Sequence, residues 1–326
     1  MKKWGQIDSG SGQTSRMTIW KKNKATLWYY PTAMKKYRTP LFLIYSLINQ
    51  PYILDLGPGI SMINAFTDEG YDVYLFDFGI PGYEDKDITL DNYILDYIQN
   101  GVKRALRHSN AADISIIGYC LGGTLATIYT AVAKEPIKNL ILFAPPIDFS
   151  HITFFNNWHK ALQKEKIDLN EIIDLYGIIP ANVMEAGLRL LTSPISFSPY
   201  LSLLDRADDK KYVDKWQRFN NWAKNHVPFV GATLKSLLND LLKDNKLIQN
   251  KLFIRNNRVE LSNIKANLLV ISTDGDQIVP EELIKPIMPK VSSQDKTYKR
   301  VKGGHVTLAI KGYLPDFLAE WLKTHS

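Results

Sequence analysis

The sequence predicts an α/β architecture: a mostly parallel sheet flanked by helices, with a helical cap insertion. Three observations carry this. Apolar strand-like runs at 41–47, 72–77, 114–118 and 139–144 alternate with helical stretches, the pattern of crossovers in a parallel sheet. From about Ile147 to Val259 the period turns helical, interrupted by Pro180, Pro194, Pro199 and Pro228, with no strong strand. Strands then resume at 267–272 and 297–301, and a closing helix is expected at 313–323.

These elements divide the chain into a basic N-terminal arm at 1–38, a core at 39–146 and 260–326, and a cap at 147–259. The arm is polar and basic, carries Trp4, Trp20 and Trp28, and reads as loosely packed or as early strands. The cap holds Phe154, Phe155, Trp158, Trp216, Phe219 and Trp222. Each alone reads as part of the cap's own core. As a group, some of them suit an apolar tunnel that would exclude water from a site beneath.

The apolar run Asp113-Ile114-Ser115-Ile116-Ile117 leads into Gly118-Tyr119-Cys120-Leu121-Gly122-Gly123 and then a helix start at Thr124. This is the nucleophile-elbow pattern with sulfur in place of oxygen. A side chain in place of those glycines would clash with the neighbouring strand and helix. The helix N-terminus favours a thiolate, because its partial positive charge lowers the thiol pKa. Cys120 is the one cysteine of the chain, which excludes an internal disulfide framework.

An acid and a histidine follow in the order nucleophile, acid, histidine of an α/β-hydrolase. Asp276 lies in the turn after the apolar run Leu268–Thr273, and His305 follows Lys302-Gly303-Gly304 after the last expected strand. The histidine would take the thiol proton, and the acid would hold its tautomer. Asp274 and Asp148 are rival acids, Asp274 with a turn-capping role as its alternative. His108, His151, His159, His226 and His325 lack a strand-end setting and read as solvated or capping residues.

With these blocks in place, the chain resembles the catalytic subunit of the polyhydroxyalkanoate synthases, most closely class IV and next class III. The resemblance runs from about Thr18 to Lys323. It rests on Leu43 to Leu56 with its Asn-x-Pro-Tyr block, Asp72 to Gly79, Gly118 to Thr124, Asp276 to Pro280, and Gly304-His305. Four positions depart from the family pattern: Phe78 where Trp is usual, Gln277 where His is usual, and Leu241-Leu242 where a Phe-Tyr pair is common.

The resemblance implies polymerisation of 3-hydroxyacyl-CoA with release of CoA, through an acyl thioester on Cys120, with Asp276 and His305 completing the triad. It also implies a small accessory subunit, a nascent polyester and a granule surface as partners. A cysteine-triad acyl-thioester hydrolase is the alternative with the same residues. The oxyanion needs preorganised donors. The Leu121 N–H, just after the nucleophile, is one, and the loop near Ile48 and Asn49 is expected to supply the other.

The 326 residues suit one core plus an insertion. The start, Met1-Lys2-Lys3-Trp4, has no apolar segment of a signal peptide, and no stretch reaches transmembrane length, so a cytoplasmic enzyme is expected. No zinc-ligand spacing or phosphate-binding loop appears, and no cofactor beyond the CoA thioester substrate is expected. The net charge of +7 suits a solvated surface or attraction for anions such as CoA. No aromatic-interleaved basic motif accompanies it, so nucleic acid is not an expected partner. A homodimer is compatible with all of these features.

Overall fold

The computed structural model describes residues 14–150, 168–192 and 208–326. Its centre is an eight-stranded sheet made of β1 (Met17–Lys22), β2 (Ala25–Tyr30), β3 (Leu41–Ile44), β4 (Val73–Asp77), β5 (Ile114–Tyr119), β6 (Ile137–Phe143), β7 (Asn267–Thr273) and β8 (Lys296–Val301). The spatial order is β1-β2-β4-β3-β5-β6-β7-β8. The six strands from β3 onward are parallel, while β1 and β2 pair antiparallel. The expected strands are all present, and β3 stops at Ile44, where the chain leaves the sheet as a loop.

The central strands are apolar on both faces because helices cover both. Phe42 and Ile44 join one buried cluster and Leu41 and Leu43 the other, and Leu140 and Leu142 divide from Ile141 and Phe143 in the same way. This is the alternation of a pleated strand with two buried sides. The helices of the core are α1 (Met62–Asp68), α2 (Gln99–Ser109), α3 (Leu121–Val132) and, at the C-terminus, Asp316–His325.

Over its described part, the arm expected at 1–38 takes the form of early strands. Residues 17–30 form a hairpin with Asn23 at φ 50°, and β2 hydrogen-bonds to β4. Asn tolerates this left-handed conformation, which suits a two-residue hairpin loop. Leu27 and Tyr30 are fully buried, so the apolar residues of this basic stretch extend the core.

The chain leaves the core near Asp148, where the N–H groups of Ile147 and Asp148 both donate to Leu283 O at 2.9 and 3.0 Å. The described part of the cap holds α4 (Leu169–Tyr176), α5 (Ala181–Thr192), α6 (Lys210–Lys224) and α7 (Gly231–Ser236). It also contains a two-residue ladder, Ile178–Ile179 against Phe229–Val230, and a small hairpin at 253–258, both too short for sequence periodicity to register. Phe154, Phe155 and Trp158 lie outside the described residues. Among the described residues no helix is long and apolar enough to cross a membrane.

Candidate active site

β5 delivers Cys120 to the C-terminal edge of the sheet, and α3 starts at the next residue. Cys120 has φ 53° and ψ −129°, a conformation that L-residues rarely adopt. Such geometry costs on the order of 1–3 kcal/mol and persists where its surroundings enforce it. Here they do. The Cys120 N–H donates to Phe143 O at 2.9 Å, and Gly123 N–H returns to Cys120 O at 2.8 Å. The glycines are required by contact: a Cβ on Gly122 would lie 2.3 Å from Ile44 O, and one on Gly118 would lie 2.5 Å from the Gly123 Cα.

Asp276 sits in the turn after β7 with its side chain fully buried. Its Oδ1 accepts the N–H groups of Ile278 and Val279, both at 2.9 Å, which fixes the carboxylate. Its Oδ2 then meets His305 Nδ1 at 2.7 Å. Burial alone would lower the His305 imidazole. The neighbouring Cys120 sulfur and the Asp276 carboxylate outweigh it and push the imidazole up to about 10. A protonated imidazole stabilises a thiolate beside it, the arrangement that activates a cysteine.

The rival acids are separated by position. Asp274 Oδ1 accepts the Gly303 N–H at 3.0 Å, and the Gly275 N–H donates to Gly303 O at 2.9 Å. These bonds clamp the loop that carries His305, so Asp274 supports the loop and Asp276 supports the imidazole. Asp148 instead accepts from Ser150 and Asn245 at the root of the cap.

The other histidines serve elsewhere. The Tyr74 hydroxyl lies 2.7 Å from His108 Nδ1, the His226 main chain forms an isolated antiparallel bridge with Asn49, and His325 Nε2 lies 3.0 Å from Asp295. His151 and His159 lie outside the described residues.

One contact at the site escaped sequence reasoning. The buried Tyr119, immediately before Cys120, donates its hydroxyl to the main-chain oxygen of His305 at 2.7 Å. Its ring stacks on Phe143 and meets the imidazole edge-on. The Cys120 turn and the His305 loop are thereby tied together, although they are far apart in the chain. The local signal was a polar-tipped aromatic inside the elbow, which normally finds a hydrogen-bond partner when buried.

Leu121 opens α3, where the first N–H groups of a helix have no intrahelical acceptor, so its N–H is placed to donate outward. The loop after β3 passes directly over Gly122, as the Ile44 and Tyr45 contacts require. Within that loop the Ile48 N–H donates to Ser46 Oγ at 3.2 Å, and Asn49 pairs with His226 of the cap. The cap is anchored here: Trp222 Nε1 donates to Gln50 O at 2.8 Å and Arg218 Nη1 to Leu56 O at 3.2 Å.

Of the departures noted in the sequence, Phe78 packs edge-on between Phe76 and Tyr93 and lines a cavity of about 20 Å³ beside this loop. Gln277 is exposed, and Leu241 is buried in the core. Among the described residues no cluster of His, Cys, Asp and Glu is placed to hold a metal ion.

The chain belongs to the alpha/beta hydrolase fold family, whose pattern matches residues 40–311. Its architecture agrees with that of a soluble variant of monoglyceride lipase from Saccharomyces cerevisiae, at a TM-score of 0.59, 15% identity and 98% coverage of both chains. Among curated proteins it is similar to the poly(3-hydroxyalkanoate) polymerase subunit PhaC of Haloferax mediterranei, 30% identical across 97% of this chain and 65% of that protein. The subunit of the same name from Thiocystis violacea is 27% identical across 97% of this chain and 90% of its own length. This chain therefore spans just under two thirds of the Haloferax subunit and nearly all of the Thiocystis one.

Proposed function

We propose that this chain is the catalytic subunit of a poly(3-hydroxyalkanoate) polymerase, an acyltransferase that joins 3-hydroxyacyl units from CoA thioesters and releases CoA. One observation carries the reading. Cys120 stands in a strained elbow facing His305, which is paired with the buried Asp276, in a chain whose relatives over nearly its full length are polymerase subunits.

In the proposed reaction the Cys120 thiolate adds to the thioester carbonyl carbon, and the π pair moves to oxygen. The oxyanion collapses, the bond to the CoA sulfur breaks, and the His305 imidazolium gives its proton to the departing thiolate. Thiol-for-thiol exchange is nearly balanced in energy, so sulfur suits this loading step. The 3-hydroxyl of a second unit then attacks the Cys120-bound acyl group. His305 takes the hydroxyl proton and keeps it as Cys120 leaves as thiolate, which restores the ion pair. Asp276 holds the imidazole through both steps. The reaction so written needs no cofactor beyond the CoA thioester substrate.

The relatives' names as subunits support a second chain in the working enzyme. The proposal includes a small accessory subunit, the nascent polyester and its granule surface in the cytoplasm as partners, with a homodimer also compatible. The cap and the N-terminal segment are where such a partner would act, since Trp222 and Thr14 both attach to the 50–55 loop.

Incubation with 3-hydroxybutyryl-CoA tests the reading, with and without the accessory protein from the same organism. Insoluble polymer and free CoA are expected, with an acyl adduct on wild type by intact mass and none on Cys120→Ala. Soluble 3-hydroxy acid as the product would assign a thioesterase instead. CoA release that persists in Cys120→Ala would refute the chemistry.

A further inference from the structure

Tyr45 is the first residue after β3, at the same sheet edge as the neighbouring Cys120 turn. Its backbone lies over Gly122: a Cβ there would come within 2.6 Å of both the carbon and the oxygen of Tyr45. Its ring is held between Tyr119, at a centroid distance of 5.9 Å, and Trp222 of the cap, at 6.5 Å. The residue is only 3% exposed.

A tyrosine so buried normally finds a hydrogen-bond partner. Among the described residues none is within hydrogen-bonding distance of this hydroxyl. Burial raises the phenol well above its ordinary value, with a further contribution from the charge of the nearby Cys120 sulfur. The hydroxyl is thus a neutral donor on a residue that shares its sheet edge with the Cys120 turn. Meanwhile the Ile48 N–H, a donor expected from the same loop, is engaged by Ser46 Oγ.

We infer that Tyr45 is a further catalytic residue, whose hydroxyl donates a hydrogen bond to the oxyanion formed when Cys120 attacks an acyl carbonyl, alongside the Leu121 N–H. This inference rests on the acyl-transfer reading above. In the attack the carbonyl π pair becomes an oxygen lone pair, which accepts the Tyr45 O–H. On collapse that pair reforms the C=O, and the phenol keeps its proton throughout. Its role is electrostatic, and it supplies no proton to the products.

The test is Tyr45→Phe in the full chain, which keeps the ring packing. Two reactions of Cys120 are compared: CoA release from 3-hydroxybutyryl-CoA, and alkylation by iodoacetamide. Acyl transfer passes through an oxyanion, and alkylation does not. Loss of one such donor typically costs about 10²–10³-fold in kcat. A fall of that order is expected, with KM little changed and the alkylation rate at the wild-type value. The melting temperature should hold, because the hydroxyl removed has no partner among the described residues. Wild-type turnover in Tyr45→Phe would overturn the inference alone, as would a parallel fall in alkylation. A wild-type chain that releases no CoA from any acyl-CoA would overturn the acyl-transfer reading together with it.

Discussion

Helices α3 and α6 are secured in opposite ways. Every residue of α3 from Leu121 to Ala131 is buried, packed between the sheet and its surroundings. In α6, Trp222 is the one buried residue, and the helix is attached by the Trp222 and Arg218 bonds to the loop after β3. Cys120 therefore rests on an element that cannot move without disrupting the core. Helix α6 rests on these polar attachments and one anchoring indole, with Phe219 and Ala223 packed partly against the core. A displacement of the cap would reach the site through the loop that carries Tyr45, while the elbow itself stayed in place.

The comparison is sharpest at the triad, where the largest effects are expected. His305→Gln should lose proton transfer, typically worth about 10²–10⁴-fold. Asp276→Asn should be severely impaired and Asp274→Asn much less so, because Asp276 touches the imidazole and Asp274 holds only the loop. Equal losses at the two would mean that loop position alone sets the activity.

The pH dependence follows from the same residues. An imidazole raised to about 10 keeps its proton through neutral pH, so CoA release should persist there and fall as pH rises through about 10. Asp276 is one of the groups that raise it. In Asp276→Asn the descending limb should therefore shift to lower pH, as a pH–rate profile would record. An unmoved limb would assign the titration to another group.

A mutation in the rigid half comes next. Gly122→Ala puts a Cβ against main-chain atoms of Ile44 and Tyr45, which cannot rotate away. Overpacking of this kind costs about 1–3 kcal/mol, and the displaced loop should lower kcat as well. Thermal unfolding and turnover together check both expectations. If both stay at wild-type values, the loop is free to shift and the contrast with the cap disappears.

The smallest effect belongs to the cap. Trp222→Phe keeps most of the buried ring but removes the bond to Gln50 O, a loss of about 1 kcal/mol. Hydrogen exchange should rise around 210–227 and 48–56, with the α3 amides unaffected. Increased exchange in α3 would show that cap and core unfold as one unit.

The parallel strands and Cys120 were legible in the sequence because their signals are local. An apolar run declares a covered strand, and Gly-x-Cys-x-Gly between a strand and a helix declares an elbow. His305 was legible as a histidine at a strand end. The hairpin at 17–30 was harder to read, because its lysines dominate the composition while Leu27 and Tyr30 do the packing. Choosing Asp276 over Asp274, two residues away, depended on which carboxylate the turn directs at His305 and which at Gly303. The Tyr119 bond joins residues 186 positions apart, and the placement of Tyr45 depends on Gly122, Tyr119 and Trp222 from distant parts of the chain. The sequence by itself determined which chemical groups are available and which short segments present them. Only the tertiary structure decided which groups meet, because hydrogen bonds and charge interactions at a site depend on distances of a few ångströms between segments that no local pattern relates.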